Sequence, residues 1–291
     1  MNVLSLFDGI SCGRVALERA GIKVDKYYAS EIDKWAEKIS ENNYPDIIRL
    51  GDVTGWRNWN VNWGGIDLVL AGSPCQSISI TQSKTRTGLR GKSKLFFEFV
   101  DILNHVRQFN PDVKFLFENV DSMSNETRTA IESCLGEKLV YQNSNAFSSQ
   151  DRPRVYATNF EWIPKNEPCN LVLKDILEDD VDEKYYYNRE YDYLGDKPVC
   201  AKLNINIHDM HKRVYNPNYK CHTLTCCNGG NTQKKVLVNG RVRKLTPTEY
   251  ERLQTLPDGY TKGVADIHRY NGCGNGWTVD VIAHILGFLE E

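Results

Sequence analysis

The chain has 291 residues, of which 41% are hydrophobic and 25% charged, and its formal net charge is −2. This is the composition of an ordinary globular protein with one large domain, or with a catalytic domain and a modest insert, whose core needs neither disulfides nor a metal. The near-neutral charge gives no sign of nucleic-acid binding, because a global balance averages over faces that can differ strongly. No apolar run approaches the roughly 18 residues of a membrane-spanning helix, so no membrane partner is expected.

The amino terminus and the cysteines indicate the cellular compartment. The first apolar stretch follows no basic segment and reaches Asp8 at once, so it predicts a β-strand and not a signal peptide. The nine cysteines include no Cys-x-x-Cys pair, which argues against a redox motif and against the usual spacing of zinc ligands. We therefore expect a reducing, cytoplasmic location and no metal. The one alternative is a zinc site in the Cys- and His-containing stretch 221–227, whose spacing fits no common site.

Two segments are strongly basic although the whole chain is not. Residues 84–94 and residues 234–244 each hold five Lys or Arg and no acid. Taken alone, either segment is more often a solvated loop than a binding site. The basic residues are Lys84, Arg86, Arg90, Lys92 and Lys94 in the first segment, and Lys234, Lys235, Arg241, Arg243 and Lys244 in the second.

In the first half of the chain, short apolar runs alternate with helical patterns, which is typical of a parallel sheet covered by helices. The predicted strands span 3–7, 27–30, 47–50, 66–71 and 115–117. Between the last two, apolar residues at 95, 96, 99, 103 and 106 have the spacing of one face of a core helix. The predicted fold class is therefore α/β and Rossmann-like.

The second half has a different character. After Pro164 the chain becomes rich in Tyr, Asn and acidic residues without sustained periodicity, so we expect a smaller, irregular domain. Order returns at Thr246, which can cap a helix with Pro247 in its first turn and Glu249 completing a capping box. The apolar residues 279–289 predict a buried helix near the end of the chain.

A glycine-containing loop follows the first predicted strand. Residues 7–13 lie between that strand and an expected helix, where a tight turn can approach a ligand, although a plain turn is the alternative. Glu31 follows Gly9 by 22 residues, close to the spacing at which an acid reaches a ribose hydroxyl pair, and Asp52 ends the third strand. Asp8, inside the loop, would repel a pyrophosphate. A cationic ligand without phosphate, such as S-adenosylmethionine, suits these acids better.

A thiol, an acid and two guanidinium groups are expected near the same edge of the sheet. Cys75 lies in a proline-containing loop after the fourth strand, and Glu118 follows the fifth. Because ligands bind at the carboxyl edge of open α/β sheets, both side chains can face one small pocket. Arg152 and Arg154 are two residues apart, which places them on one side of an extended segment. A buried structural cysteine or a structural ion pair is the alternative for each residue taken alone.

Several short motifs run through the chain in sequence. They are Phe-Asp-Gly at 7–9, Gly-Ser-Pro-Cys at 72–75, Leu-Phe-Phe-Glu-Phe at 95–99, Glu-Asn-Val at 118–120, Gln-x-Arg-x-Arg at 150–154, Leu-Thr-Pro-x-Glu and Arg-Leu-Gln within 245–254, and Gly-Asn-Gly at 274–276. In these motifs and their order, the chain resembles the DNA (cytosine-5) methyltransferases, and in several places the animal de novo branch of that family. The exception is the region 165–242, where the family has its variable target-recognition domain. A bacterial or phage member is expected.

The resemblance implies a Rossmann-like S-adenosylmethionine-dependent methyltransferase fold with a small, irregular target-recognition domain. It implies a catalytic cofactor-binding domain at 1–164, a target-recognition domain at 165–242, and a return to the catalytic domain at 243–291 that completes the cofactor pocket. The implied partner is double-stranded DNA, from which a cytosine is flipped out for methylation at carbon 5. A restriction endonuclease encoded nearby is a further implied partner.

The implied chemistry is covalent catalysis. Cys75 adds to carbon 6 of cytosine, since carbon 5 is a poor nucleophile until something has added there. Glu118 engages N3 and the exocyclic amine, so that the addition gives an enamine instead of a high-energy anion. Arg152 or Arg154 supplies the positive field that favours the thiolate.

The same resemblance, with the loop chemistry above, gives candidate binding residues. Those for the cofactor, S-adenosyl-L-methionine, are Phe7, Asp8, Gly9, Ile10, Gly13, Glu31, Ile32, Asp52, Val53, Gly72, Pro74, Asn275 and Trp277. Those for DNA are Gln76, Ser79, Lys84, Arg86, Arg90, Lys92, Thr223, Leu224, Thr225, Gly229, Gly230 and Asn231. The basic segment 84–94 is the family's mobile loop that closes on the DNA, with Gly88 and Gly91 as hinges.

Two alternatives and two departures accompany the resemblance. An RNA cytosine-5 methyltransferase on the same scaffold is one alternative, and a non-catalytic DNA-binding relative is the other. The long basic and glycine-containing recognition region favours DNA, and the retained Pro-Cys and Glu-Asn-Val motifs favour an enzyme. The chain has Ile78 where the family often has Phe, and Gly276-Trp277 differs from the commonest form of the last motif.

Overall fold

A computed structural model of the chain describes residues 1–73, 93–227, 229 and 231–289. The described chain forms two compact units. The first unit consists of Met1–Gln142, Pro153–Lys165 and Ile282–Glu291, and the second of Asn143–Arg152 and Asn166–Val281. Within the described ranges, every helix is too short or too polar to cross a lipid bilayer.

The secondary structure alternates between strands and helices in the first half and is strand-rich later. The described strands are β1 Asn2–Leu6, β2 Lys26–Ser30, β3 Ile48–Arg49, β4 Leu68–Ala71, β5 Lys114–Val120, β6 Val140–Asn143, β7 Gln150–Asp151, β8 Pro153–Thr158, β9 Tyr191–Tyr193, β10 Val199–Leu203, β11 Arg213–Tyr215, β12 Cys221–His222, β13 Lys235–Val238 and β14 Arg241–Lys244. The described α-helices are α1 Cys12–Arg19, α2 Lys34–Asn43, α3 Ser93–Phe109, α4 Asn125–Leu135, α5 Asp209–Lys212, α6 Pro247–Leu253, α7 Asp266–Asn275 and α8 Val279–Leu286.

The first unit is built on a seven-stranded sheet with the order β3-β2-β1-β4-β5-β8-β6. Strands β1 to β5 pair in parallel, and β8 runs antiparallel to β5. The strands predicted from apolar runs are confirmed, with each end within three residues of its predicted position. Because the chain moves outward in both directions from β1, the boundary between β1 and β4 is a switch point, where open α/β sheets bind ligands. The α/β, Rossmann-like prediction is confirmed.

Helix α3 covers one face of this sheet, as its apolar spacing predicts. Phe96, Phe99 and Leu103 are buried. The ring of Phe99 stacks on that of Phe117 from β5, with centroids 5.4 Å apart and planes 7° from parallel. This packing joins α3 to the strand that ends near Glu118, so the core supports the edge at which the candidate site lies.

The second unit contains a five-stranded sheet with the order β14-β13-β11-β10-β9. Neighbouring strands are antiparallel except β11 and β13, which are parallel. Its buried apolar face includes Leu203, Val214 and Val242. The expectation for much of this region is an irregular domain, and within it the structure describes this sheet of short strands. Its strands are three to five residues long and mix charged with apolar residues, so they show too little alternation for a sequence pattern.

A buried ion pair fixes the start of α6. Arg243 and Glu249 are 1% and 0% exposed, and their N–O distance is 2.6 Å. Glu249 also accepts hydrogen bonds from the backbone N–H groups of Thr246, at 2.8 Å, and of Glu178, at 3.0 Å. The capping box predicted at Thr246 and Glu249, with Pro247 in the first turn, is confirmed.

We expect Glu249→Gln to destabilise the protein strongly. The change leaves Arg243 buried without a counter-charge, which costs about 3–5 kcal/mol of the free energy of unfolding. The matched control is Glu183→Gln, because Glu183 pairs with Arg241 at 2.7 Å but is 74% exposed. That exposed pair contributes about 0–1 kcal/mol. Urea unfolding of both variants measures the difference, and equal losses would contradict the burial argument.

Candidate active site

The loop after β1 has an unusual backbone. Phe7, Gly9 and Ser11 have φ angles of 58°, 58° and 61°, in the left-handed region. For a bulky residue such as Phe7 this conformation is strained, and it persists only where surrounding contacts enforce it. A Cβ atom at Gly9 would meet no other atom within 4 Å, so the space beside the loop is open. Strained backbone beside open space at a switch point is typical of a ligand-binding loop.

Asp8 holds the shape of this loop from inside. Its carboxylate accepts hydrogen bonds from the Tyr27 hydroxyl, at 2.7 Å, and from the Ser11 hydroxyl. Burial raises the pKa of Asp8, and the hydrogen bonds from Ser11 and Tyr27 oppose that rise. The described contacts of Asp8 are therefore contacts that fix the loop.

Glu31 joins the loop after β1 to the turn after β2. One carboxylate oxygen accepts from the N–H of Gly9 at 2.8 Å, and the other accepts from Ile32 at 2.8 Å and Asp33 at 2.9 Å. The neighbouring Ile32 side chain is 73% exposed, although it is a large apolar group. Asp52, after β3, accepts from the N–H of Thr54 at 2.8 Å and caps a 3₁₀ turn. Two carboxylates and an exposed apolar side chain thus follow adjacent strand ends.

These residues fit S-adenosylmethionine. The ribose hydroxyls and adenine amino group of that molecule are donors, which suit carboxylate acceptors, and its sulfonium suits an acidic surrounding. The open spaces beside Gly9 and Gly51 leave room for close approach to backbone. Of the other candidates in the first unit, Ile10, Gly13 and Val53 are buried and Gly72 is half-buried. In the second unit, Asn275 is exposed and Trp277 is half-buried. Pro74 lies outside the described residues.

The end of β4 is tied to the end of β5. Ala71 and Phe117 are register partners, so the next residues along each strand are neighbours. The Asn119 side-chain amide donates to the carbonyl oxygen of Ser73 at 3.2 Å and approaches the Ser73 hydroxyl at 3.4 Å, and both residues are buried. This contact anchors the last described residue before the segment 74–92.

Glu118 and Arg154 form an ion pair at this edge. The Nε atom of Arg154 lies 2.8 Å from Oε1 of Glu118, and the side chains are 13% and 12% exposed. The pairing of β5 with β8 produces this contact, since Val120 is opposite Arg154 and Glu118 is opposite Tyr156. Arg154 also donates from Nη1 to the carbonyl of Pro153 at 2.8 Å. The pair holds a carboxylate and a cation in one orientation, partly open to solvent.

Arg152 has different partners. Its guanidinium donates to the carbonyl oxygens of Leu224 at 3.0 Å, Gly274 at 3.1 Å and Gly276 at 2.9 Å, all in the second unit. We expected Arg152 and Arg154 on one side of a single extended segment. The structure corrects that premise, because β7 pairs with β12 whereas β8 belongs to the seven-stranded sheet, and the chain changes sheets at Arg152.

Many predicted site residues lie outside the described part of the chain. They are Pro74, Cys75, Gln76, Ser79, Lys84, Arg86, Arg90, Lys92 and Gly230. Among the predicted DNA-binding residues that are described, Leu224 is buried and Thr223 and Thr225 are half-buried. Gly229 and Asn231 have φ angles of 91° and 64°, as the glycine-rich character of this loop predicts.

The cysteine-containing stretch 221–227 resembles no metal site. Cys221 is buried, and burial raises the pKa of its thiol to about 12. Cys226 is exposed, and its Sγ lies 2.7 Å from Oδ1 of Asn275. Across the described residues, no three His, Cys, Asp or Glu side chains are grouped to hold a metal ion.

Sequence reasoning did not single out Ser73, Asn119, Gln150 or Gly274 as site residues. Asn119 and Gln150 each lie inside a motif, beside a residue with a clear chemical role. Their position inside a motif was the sequence signal that could have identified them as site residues. Ser73 accepts a hydrogen bond from Asn119 and Gly274 packs closely on the backbone of Thr225, and no local sequence pattern records either contact.

Comparisons with known proteins agree with this fold and with the family that the sequence resembles. The sequence pattern of the C-5 cytosine-specific DNA methylases matches residues 1–291. The type II methyltransferase M.HhaI of Haemophilus parahaemolyticus is 28% identical over 98% of this chain and 93% of its own length. The type II methyltransferase M.Bsp6I of a Bacillus strain is 27% identical over 98% of this chain and 97% of its own. The structure of the S. pombe Dnmt2 methyltransferase superposes with a TM-score of 0.71 at 19% identity, covering 99% of this chain and 98% of that one.

The fold and the family match therefore define a methyltransferase of the S-adenosylmethionine-dependent class. The chain belongs to the C-5 cytosine-specific DNA methylase family, and it is a DNA (cytosine-5) methyltransferase. The predicted family is confirmed, and its relatives include bacterial type II methyltransferases.

Proposed function

We propose that this enzyme methylates carbon 5 of a cytosine flipped out of duplex DNA. In this proposal Cys75 is the nucleophile, and Glu118 and Arg154 lie beside the cytosine ring. The observation that carries the proposal is the Glu118–Arg154 ion pair at the strand end where Asn119 holds Ser73. Cys75 follows Ser73 by two residues in the sequence. A nucleophile, an acid and a cation at one sheet edge are what this reaction requires.

The reaction begins at the thiol. The thiolate of Cys75 adds to carbon 6 of cytosine, since a thiol with its ordinary pKa of about 8.5 is a nucleophile only after deprotonation. The proton that the Cys75 thiol loses passes to Glu118, which hydrogen bonds to N3 and the exocyclic amine and shares that proton with N3 as the bond to carbon 6 forms. Charge does not then build up on the ring, and the product of addition is a neutral enamine whose carbon 5 is nucleophilic.

Arg154 keeps the Glu118 carboxyl group in one orientation through its Nε contact, and its charge favours the nearby thiolate. S-adenosylmethionine, when bound, supplies the methyl group that carbon 5 takes. A water molecule then takes the carbon 5 proton as Cys75 departs, which restores the aromatic ring, and the proton on N3 returns through Glu118 to the thiolate. The enzyme leaves the cycle unchanged.

The cofactor would be held by the strand-end residues of the first unit. Glu31 would accept hydrogen bonds from the ribose hydroxyls, Asp52 from the adenine amino group, and Ile32 would cover a face of the base. Gly9 and Gly72 permit close approach of backbone, and Asn275 and Trp277 are further candidates for cofactor contacts in this proposal.

We expect Glu31→Gln to weaken S-adenosylmethionine binding by about 10- to 100-fold, because hydrogen bonds to a charged acceptor are replaced by weaker neutral ones. Isothermal titration calorimetry without DNA measures this directly. Glu41→Gln is the matched control, since Glu41 is an exposed residue of α2 whose described ion pair is with exposed Lys38, at 3.0 Å. An unchanged dissociation constant for the Glu31 variant would contradict the proposed ribose contact.

The target base is stacked in a duplex, so catalysis requires flipping, at a cost of a few kcal/mol. We assign phosphate contacts to the basic segment 84–94 and target recognition to 165–242, between the catalytic regions 1–164 and 243–291. M.HhaI and M.Bsp6I are named type II methyltransferases, which supports the idea of a partner restriction endonuclease.

Bisulfite sequencing of DNA from cells that express the protein tests the function. We expect complete protection of cytosines at one short recurrent sequence. A parallel assay of methyl transfer to transfer RNA tests the alternative substrate. Methylation of RNA without methylation of duplex DNA would contradict the proposal.

A further inference from the structure

The segment Thr223–Cys227, called here the recognition segment, directly follows β12, the strand that pairs with β7. Strand β12 pairs in parallel with β7, with Cys221 opposite Gln150 and His222 opposite Asp151. The Thr223 hydroxyl then donates to the carbonyl of Asp151 at 2.8 Å. The recognition segment therefore begins as a continuation of a paired strand.

Leu224 is held by both of its main-chain groups. Its N–H donates to Oε1 of Gln150 at 2.8 Å, and its carbonyl accepts from Nη1 of Arg152 at 3.0 Å. Gln150 is fixed in turn, because its side-chain amide donates to the carbonyl of Leu253 and to the side chain of Gln254, both at 3.1 Å. Leu224 itself is 1% exposed. Its burial makes it an anchor for the more exposed residues on either side.

Arg152 also donates hydrogen bonds to the end of α7. The guanidinium, in a side chain that is 3% exposed, donates from Nη2 to the carbonyls of Gly274 and Gly276. One planar group thus bridges the recognition segment and the α7 terminus. A lysine keeps the charge but has no fork of donors to span three carbonyls.

Gly274 brings the two segments into backbone contact. A Cβ atom at Gly274 would lie 2.7 Å from the carbonyl carbon and oxygen of Thr225 and 2.8 Å from the nitrogen of Cys226. The N–H of Cys227 donates to Oδ1 of Asn271 at 2.8 Å. The contact at Gly274 and the bonds from Arg152 are separate features that fix the same five residues.

We propose that Arg152 is a positioning residue for sequence recognition: it clamps the recognition segment to the end of α7, so that Thr223, Thr225 and Cys226 are presented to duplex DNA. This inference rests on the proposed function. It assigns to Arg152 an effect on which DNA is bound, in place of a direct effect on the thiol or the base.

Two substitutions test the clamp independently. Arg152→Lys keeps the charge and loses the bridge, and Gly274→Ala pushes on the backbone of Thr225 and Cys226. For both we expect the KM for duplex DNA to rise by about tenfold or more, as several hydrogen bonds to a charged donor or a close packing contact are lost. The single-turnover methylation rate at saturating DNA should stay within about threefold of wild type. Bisulfite sequencing should show methylation at near-cognate sites.

A direct action of Arg152 on the thiol predicts the opposite split for Arg152→Lys, with a changed single-turnover rate and an unchanged KM and site pattern. A merely structural role predicts a lower melting temperature with all three kinetic readouts unchanged per folded molecule. Either result would overturn the proposal. Arg189→Lys is the control, because Arg189 is an exposed arginine of the second unit.

Hydrogen exchange of the intact protein tests the clamp without substrate. In Arg152→Lys, amide exchange in the peptide covering 221–227 should accelerate at least about tenfold, while peptides of β1 and β4 keep their wild-type rates. Unchanged exchange in 221–227 would overturn the clamp. If the wild-type enzyme transfers no methyl group to duplex DNA but this exchange accelerates, the proposed function fails and the clamp on the recognition segment stands.

Discussion

Cys75→Ala is expected to abolish methyl transfer to duplex DNA. Without the thiol nothing adds to carbon 6, and carbon 5 of cytosine stays too weak a nucleophile to accept a methyl group. By comparison with other covalent enzymes that lose their nucleophile, the turnover number should fall by about four orders of magnitude or more. Transfer of tritiated methyl groups from S-adenosylmethionine to duplex DNA measures the loss.

The variant should still bind both ligands, since the loss concerns the reaction and not recognition. Calorimetry with S-adenosylmethionine and a filter-binding assay with DNA establish this. The control is Cys134→Ala, which removes an exposed thiol from α4 in the first unit. Its activity should stay within about twofold of wild type, as for most exposed positions. Substantial turnover by the Cys75 variant would refute covalent catalysis.

Glu118→Gln is expected to have the second largest effect. The amide keeps the size of the side chain but cannot share a proton with N3, so negative charge builds up on the ring as Cys75 adds. Loss of such acid–base assistance lowers the turnover number by about 10²- to 10⁴-fold. The ion pair with Arg154, at 2.8 Å, also loses its anionic partner. Single-turnover measurements at saturating DNA and cofactor isolate this chemical step.

Asp121→Asn is the matched control for Glu118→Gln. Asp121 follows the same strand by one residue and pairs with Arg128 at 3.0 Å, but its side chain is 36% exposed. Its amide variant should retain the single-turnover rate within about threefold, because an exposed pair contributes little to structure. Equal losses in the two variants would mean that Glu118 acts through stability, and the proposed role at N3 would be wrong.

The sequence predicts the large sheet well because its strands are continuous buried runs. Residues 68–71 and 115–117 are entirely buried, so hydrophobicity alone identifies them. The same reasoning fails for β11, Arg213–Tyr215, and β14, Arg241–Lys244, which mix charged with apolar residues and are only three and four residues long. Their pairing is decided by contacts between distant segments, which no local period reveals.

The site shows the same division. Gly9 and Glu31 could be selected from their spacing along the chain, since a loop and a strand end have local signatures. The partners of Arg152 could not. An alternation of two residues predicts a shared side only within one strand, and Arg152 lies where the chain passes from β7 to β8. Its three carbonyl partners come from residues at least 72 positions away.

The central claim is a covalent bond between Cys75 and carbon 6 of the target base. Duplex DNA that carries 5-fluorocytosine at the methylated site can test it, because fluorine on carbon 5 cannot leave as a proton does and the adduct persists. After reaction with S-adenosylmethionine, denaturation and proteolysis, mass spectrometry should find the nucleotide on the peptide that contains Cys75. An adduct on a different residue, or methylation of natural DNA by an enzyme that never forms an adduct, would contradict the mechanism.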